Sequence, residues 1–250
     1  MADIVNAIAK EKEYLEYRKR GEEPFHLVDA IKEFGYNTLK EYFDEKKEYE
    51  FTSLPFELIT KDPDNCIAEG LRLLDTKTAA VVFVDCNETF VYSGESKPFN
   101  EVYCEENNIP VYPLYTVGGA IVGAPGDLSI GICIPDNLEL GDKYMLEKVK
   151  DILSKYISSI SVDNNDVLQD GCKICATTGY KRNGMYLFIA HFSFSDRIDL
   201  INEICSVSNV STFSMRRTNT TPQVTKTPSY IKDVSRDVLK TEVLEWLGVQ

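Results

Sequence analysis

Apolar positions along this chain recur at two different periods, and the change between them falls near residue 50. From Asp3 to about Arg20, Ile4, Ile8 and Leu15 return close to helical spacing, and Gly21 with Pro24 supplies a stop. A second helix is predicted from about Phe25 to Phe34, broken by Gly35. Thr38 and Glu41 then stand at capping-box spacing and predict a third helix through the acidic run DEKKEYE, ending near Glu50. Beyond that point the pattern changes. Phe51 to Thr60 reads as a strand, Asp64 to Leu74 as a helix and Ala79 to Val84 as a buried strand. Further strands are predicted at Thr89 to Tyr92, Val111 to Tyr115, Leu128 to Ile134, Asp166 to Cys175 and Met185 to Phe194. Helices are predicted at about Asp142 to Tyr156 and Asp196 to Ile204, and the pattern VLKTEVLEWLG suits a packed helix with Trp246 in the core. Strands and helices are interspersed without strict βαβ alternation, so the expectation is a mixed α/β domain with a mixed sheet rather than a Rossmann sheet. The domains are expected at 1–50, a helical appendage, and 51–250, the main domain.

Composition narrows the class of partner. Lys and Arg number 27 against 40 Asp and Glu, a formal charge of -13, and that sign repels polyphosphate and anionic lipid at long range. The two helices around Gly35-Tyr36-Asn37 have the outline of a helix-turn-helix, but the second, LKEYFDEKKEYE, is net acidic and unsuited to DNA. No apolar run reaches the roughly 20 residues that a bilayer span needs, and the start MADIVNAIAKEKEYLEYRKR has no signal-peptide pattern. The expectation is a cytoplasmic protein with no nucleic-acid partner and no membrane. Seven cysteines, at 66, 86, 104, 133, 172, 175 and 205, are an odd count without a disulfide framework. Cys172 and Cys175 form a lone Cys-x-x-Cys with no second pair, and the only histidines are His26 and His191, so no metal site is expected.

Two stretches carry the candidate chemistry. In VGGAIVGAPGDLSIGI, residues 117–132, five glycines interrupt strand-like sequence; such density serves either a ligand lying against main-chain amides or a bulged hairpin without one. It is neither a Walker loop nor a Rossmann fingerprint. In NNDVLQDGCKICATTGYKRNGMYLFIAHFSF, Lys173 sits among strand-forming residues just after the turn Gln169-Asp170-Gly171. Such a lysine either blunts a strand edge by reaching to water or points into a cleft toward a carboxylate or phosphate.

The order of these pieces, over roughly residues 51–220, resembles the lipoate-protein ligases within the superfamily of lipoate ligases, octanoyltransferases and biotin ligases. Asn65-Cys66-Ile67-Ala68-Glu69-Gly70-Leu71 resembles that family's Asn-x-Ala-x-Asp/Glu helix, and VYSGESKPFNEVYCEENNIPVYPLY its strand, Gly94, Glu-Val and Ile-Pro-Val approach to the glycine loop. Lys173 in VLQDGCKICA falls on the family's lysine. His191 with Asp199-Leu200 keeps its histidine to Asp-Leu spacing, and Arg216-Arg217-Thr218-Asn219 resembles its Arg-Val-Thr-Asn. The resemblance implies an α+β fold, a mixed and largely antiparallel sheet flanked by helices. It also implies an activity in two halves: lipoate or octanoate is activated by ATP, with Mg as accompanying ion, to an acyl-adenylate, and passed to a lysine of a lipoyl-type carrier protein. Lys173 would contact the acyl carbonyl and the phosphate, while Gly94, Gly118, Gly119, Ala120, Gly126, Asp127 and His191 would line the substrate.

The sequence also departs from the family. Leu114 and Tyr115 occupy the place of an arginine pair, Ala120 replaces a third glycine, and Ala124 lies near a missing histidine. Lys181, Arg182, Arg216 and Arg217 are the remaining cations for a triphosphate. APGDL resembles the octanoyltransferase Gly-Pro-Gly-Gln-Leu, and ICSVSNVSTF resembles the segment with that branch's catalytic cysteine. Cys205 would then carry the acyl group as a thioester, activated by a nearby cation such as Lys173, unless it is a buried core cysteine. The remaining reading is a non-catalytic member that binds a carboxylate or a protein partner.

Overall fold

The computed structural model describes residues 3–22, 26–94, 99–114, 120–138, 140–205 and 228–249. The chain divides into two compact units, 1–54 and 55–250.

The first unit is three helices, α1 (Ile4–Lys19), α2 (Leu27–Lys32) and α3 (Leu39–Thr52). Their core is Ala7, Ile31, Tyr36 and Tyr42. The capping box forms as its spacing predicts: the Glu41 backbone N–H donates to Thr38 Oγ1 at 3.1 Å, and the Thr38 N–H donates to Glu41 Oε2 at 3.2 Å. The carboxylate of Glu11 is buried in this unit and accepts from Tyr42 Oη at 2.5 Å and Lys46 Nζ at 2.6 Å. One expectation fails here. Phe51 and Thr52 close α3, and the strand predicted from Phe51 begins only at Glu57, because the helical register carries the fully buried Phe51 into the helix's apolar side.

The second unit holds two sheets. The larger has seven strands in the order β1-β2-β6-β10-β9-β8-β7, and the smaller three in the order β4-β3-β5. In the larger sheet β1 (Glu57–Lys61) runs parallel to β2 (Ala80–Asp85), with α4 (Pro63–Thr76) as the crossover. Every other pairing, among β2, β6 (Leu128–Pro135), β10 (Met185–Phe192), β9 (Cys172–Arg182), β8 (Asp166–Gln169) and β7 (Ile160–Asp163), is antiparallel. The sheet is therefore mixed and largely antiparallel. The smaller sheet joins β3 (Phe90–Ser93), β4 (Val111–Pro113) and β5 (Ala120–Gly123). Helices α5 (Glu101–Glu106), α6 (Asp142–Ser154), α7 (Ile198–Cys205) and α8 (Arg236–Leu247) complete the unit.

Where a continuous apolar run forms a strand buried on both faces, prediction and structure coincide, as at β2 and β6. The stretch predicted as one strand, Asp166 to Cys175, is instead two strands turned back through Asp170 and Gly171, both at positive φ. The short α5 and β7 carry too few residues for a period to show. Trp246 is half-buried, the buried face of α8 being Leu239, Val243 and Leu247. Among the described residues no helix is long and apolar enough to cross a membrane.

Candidate functional site

The site is a cleft of about 730 Å³, its open mouth included, between α4, the cleft-facing side of the large sheet and the small sheet. Strand alternation determines which residues line it: Ser129 and Gly131 from β6, Val82 and Val84 from β2, Leu187, Ile189 and His191 from β10, and Tyr180 from β9. Ile67, Gly70, Leu71 and Leu74 of α4 cover this face, and Tyr92, Leu114 and Ile121 come from the region of the small sheet. Among the described residues no charged side chain lines the cleft unless His191 is protonated. At one end Ser129 pairs with His191 across β6 and β10.

At that end lies a buried ionic network. Asp127 is fully buried and accepts from the backbone N–H of Ala124 (3.0 Å) and Phe194 (2.8 Å), from Ser195 Oγ (3.2 Å) and from Arg197. The Arg197 guanidinium, itself buried, also donates to Ser193 Oγ at 2.6 Å and lies 3.2 Å from His191 Nε2. A guanidinium only donates, so Nε2 accepts, and the proton of a neutral imidazole sits on Nδ1, 2.8 Å from Ser129 Oγ. Burial is the largest influence on His191 and lowers its pKa; Arg197 and Lys173 act in the same direction, against the pull of Asp127. For Asp127 burial pushes upward, but the Arg197 charge and the Phe194 N–H hold it below the usual carboxylate range, with His191 adding to them when it is protonated. The head of the cleft is thus a neutral imidazole buttressed by a compensated ion pair. The Phe90 ring meets that imidazole edge-to-face, centroids 6.3 Å apart.

Lys173 reaches this side of the sheet through a β-bulge. In an unbroken strand it would share a face with Cys175, which pairs with Val167. The register slips between Val167 and Leu168, leaving Ile174 as the extra residue and placing Lys173 opposite Leu168. Lys173 therefore shares a face with Asp166 and Ala176, and Ala176 pairs with His191. Its ammonium, about one-third exposed, lies 2.7 Å from Asp166 Oδ1. Bulges of this kind recur beside active sites, where they re-aim a side chain. Lys173 is beyond the polar end of the cleft, not among its lining residues.

The other residues singled out in the sequence fall as follows. Gly94 is buried at the end of β3, and Ala120 opens β5 opposite Ser93. Gly126 sits in the turn that carries the chain from β5 in the small sheet to β6 in the large one, at φ +97°, and donates to the Cys86 carbonyl at 2.9 Å. Gly118, Gly119, Arg216 and Arg217 lie outside the described residues, as does the side chain of Cys205, whose backbone closes α7. Lys181 and Arg182 stand at the far end of β9, about 30 Å of strand from Lys173, paired with Asp136 and Asp75. They belong to the hairpin, not to the site. Arg197 is the cation that sequence reasoning passed over; its only signal was an arginine in the short segment between His191 and Asp199. Cys66 lines the cleft 2.8 Å from Tyr92 Oη, its thiol pushed up to about 11 mainly by burial; Cys86 and Cys133, also buried, are pushed to about 12. These thiols are poor nucleophiles where they stand.

No protein-family model and no curated protein matches the sequence. Solved structures do match in shape. A bipartite lipoate protein ligase from Thermoplasma acidophilum, described with its E2 lipoyl domain, superposes with a TM-score of 0.60 at 20% identity, over 79% of this chain and 85% of that one. A T. acidophilum structure with bound lipoic acid gives 0.59 at 16%, over 78% and 87%. A lipoate-protein ligase A bound with ATP gives 0.57 at 17%, over 76% and 83%. At such identities the likeness is one of fold: this chain has the α+β fold of the lipoate-protein ligases.

Proposed function

We propose that the protein is an acyl ligase of the lipoate-ligase type, which holds lipoate, octanoate or a related carboxylated acyl chain in the apolar cleft and passes it to a lysine of a lipoyl-type carrier. The observation that carries this reading is the cleft: largely apolar, with Ser129 and His191 together at one end, and with Lys173 turned onto the same side of the sheet. Burying the chain supplies affinity at about 0.8 kcal/mol per methylene. The carboxyl group then emerges toward Lys173, whose ammonium can exchange Asp166 for a carboxylate or phosphate oxygen and stabilise the charge that acyl transfer places there. The likeness to a ligase bound with ATP supports the nucleotide as co-substrate. Magnesium would arrive on the nucleotide, since that ion keeps most of its waters and binds largely through substrate phosphates.

A second reading is favoured by the disposition of the cations. Arg197 is engaged by Asp127, and Lys181 with Arg182 lies far along β9, so a triphosphate would find Lys173 as the cation on the cleft side among those candidates that are described. On this reading the protein binds the acyl chain without activating it.

One experiment separates the two. The protein is incubated with ATP and lipoate or octanoate, and pyrophosphate and acyl-adenylate are followed; the ligase produces both, the binding protein neither. Where activity is present, Lys173→Ala lowers the rate by on the order of 100-fold, as loss of one charge-stabilising donor does, with the melting temperature little changed. Full activity in that variant removes Lys173 from the mechanism.

A further inference from the structure

Two positions on the cleft wall lack side chains. Gly70 on α4 and Gly131 on β6 both line it, one from the helix above and one from the sheet below. They differ in what they permit. A Cβ at Gly70 would lie 2.9 Å from Leu187 Cδ2, so this glycine lets the helix approach the sheet. A Cβ at Gly131 would meet Val82 Cβ at 3.6 Å and Leu187 Cδ1 at 3.7 Å, which is ordinary contact. There the missing side chain leaves room and relieves no clash. Gly131 is paired with Val82 on one side and Ile189 on the other, in the middle row of the cleft. The Ser129–His191 row lies two residues toward the polar end, roughly 7 Å away at the rise of a strand; Leu187, Tyr180 and Leu74 lie beyond Gly131 at the other end. An acyl chain entering by its tail must cross the Gly131 row to reach them.

We infer that Gly131 sets the length of acyl chain this protein accepts, acting as an open gate between the head of the cleft and its deep aliphatic end. The inference rests on the acyl-cleft reading above and assigns to that site a straight, unsubstituted aliphatic tail as its preferred occupant. Among the described residues, the lining beyond Gly131 offers the chain no cation, carboxylate or amide side chain, the Tyr180 hydroxyl being its polar group. A valine at 131 would put two methyl groups where the tail passes. The backbone tolerates it: Gly131 is not at positive φ, lies inside a strand, and β-branched residues suit strands. Replacing a strand glycine at a compatible position does not by itself unfold a protein.

The test needs no turnover. The full chain and its Gly131→Val and Gly131→Ala variants are titrated calorimetrically with butanoate, hexanoate, octanoate, decanoate and dodecanoate. In the wild-type protein affinity should rise by about fourfold per added methylene until the cleft is full. In Gly131→Val the rise should stop at a shorter chain, with the short acids bound as before and the long ones weakened by about fourfold for every methylene excluded. Gly131→Ala should fall between. A wild-type length profile in Gly131→Val overturns the gate while leaving the acyl cleft in place. A uniform loss across all lengths, with the short acids weakened as much as the long, overturns it too, since that is the signature of a general disturbance. If the wild-type protein binds none of the five acids, the acyl-cleft reading fails and the inference goes with it.

Discussion

The most consequential residues are Asp127, Arg197 and His191, because charges this deeply buried persist only as a compensated set. Removing one partner leaves the other uncompensated, which typically costs about 3–5 kcal/mol. Arg197→Gln should therefore destabilise the protein by about that amount, whereas Arg182→Gln, at an exposed surface pair, should cost under about 1 kcal/mol. The sign of the pH dependence follows from the directions of shift. His191 has a folded pKa below its unfolded value of about 6.5, so its neutral burial stabilises fully above that pH. Below it the unfolded chain takes up a proton that the folded one refuses, and stability falls by up to about 1.4 kcal/mol per pH unit. Asp127, held low, begins its own loss only below about pH 4. Chemical denaturation of wild type and His191→Gln between pH 7 and 5 checks this: the slope should flatten in the variant, and equal slopes would mean that His191 is not held neutral. The sequence named His191 and Asp127 as residues that would line the substrate; His191 lines the cleft, whereas Asp127 is fully buried behind it in the ion pair with Arg197. Arg197 was not legible, because nothing in its local pattern says that a loop arginine turns inward to a carboxylate 70 positions earlier.

At the scale of elements, the glycine-rich stretch shows what sequence can and does not specify. Its density was equally compatible with a ligand cradle and a bulged hairpin, and the described part is neither: β5 and β6 lie in different sheets, and the glycines there serve a turn and a close approach. Gly126 supplies a positive-φ turn, and Gly123 lies against the Phe90 ring so closely that a Cβ there would collide with it. Phe90 is fully buried and touches His191, so the ring has little room to yield. Gly123→Ala should accordingly cost about 1–3 kcal/mol, the usual penalty for overpacking, and weaken any ligand that depends on the His191 end of the cleft. Gly131→Ala should be neutral or mildly stabilising, since its Cβ has space and the unfolded chain loses freedom. Parallel urea titrations compare the two; equal destabilisation would show that the packing distinction between these glycines has no energetic consequence. The capping box of α3 was readable because both partners lie within four residues. The bulge at Ile174 was not: it is defined by the register of β9 against β8, and only after that register is known does Lys173 acquire a side of the sheet.

For the molecule as a whole, the period shifts from helical to strand near residue 50, and the chain divides into compact units 1–54 and 55–250. The four-residue difference has a local cause, the extension of α3 through Thr52. We propose that each unit is a separate folding unit. The first has its own core in Ala7, Ile31, Tyr36 and Tyr42, and its own satisfied buried carboxylate in Glu11. The second contains both sheets, the cleft and the ionic network, with core clusters drawn wholly from its own residues. A chain beginning at Pro55 should then express as a folded protein, melt cooperatively and retain the acyl-chain length profile of the full protein. One beginning at Phe51 should behave no better, since residues 51–54 belong to the first unit and add two large apolar side chains, Phe51 and Leu54, without the rest of α3. Calorimetric melts of the two truncated chains against the full chain are decisive. A broad, non-cooperative transition for the Pro55 chain would mean that the helices complete the core of the second unit. A sharp transition with loss of acyl binding would instead assign the helical unit a part in holding the ligand.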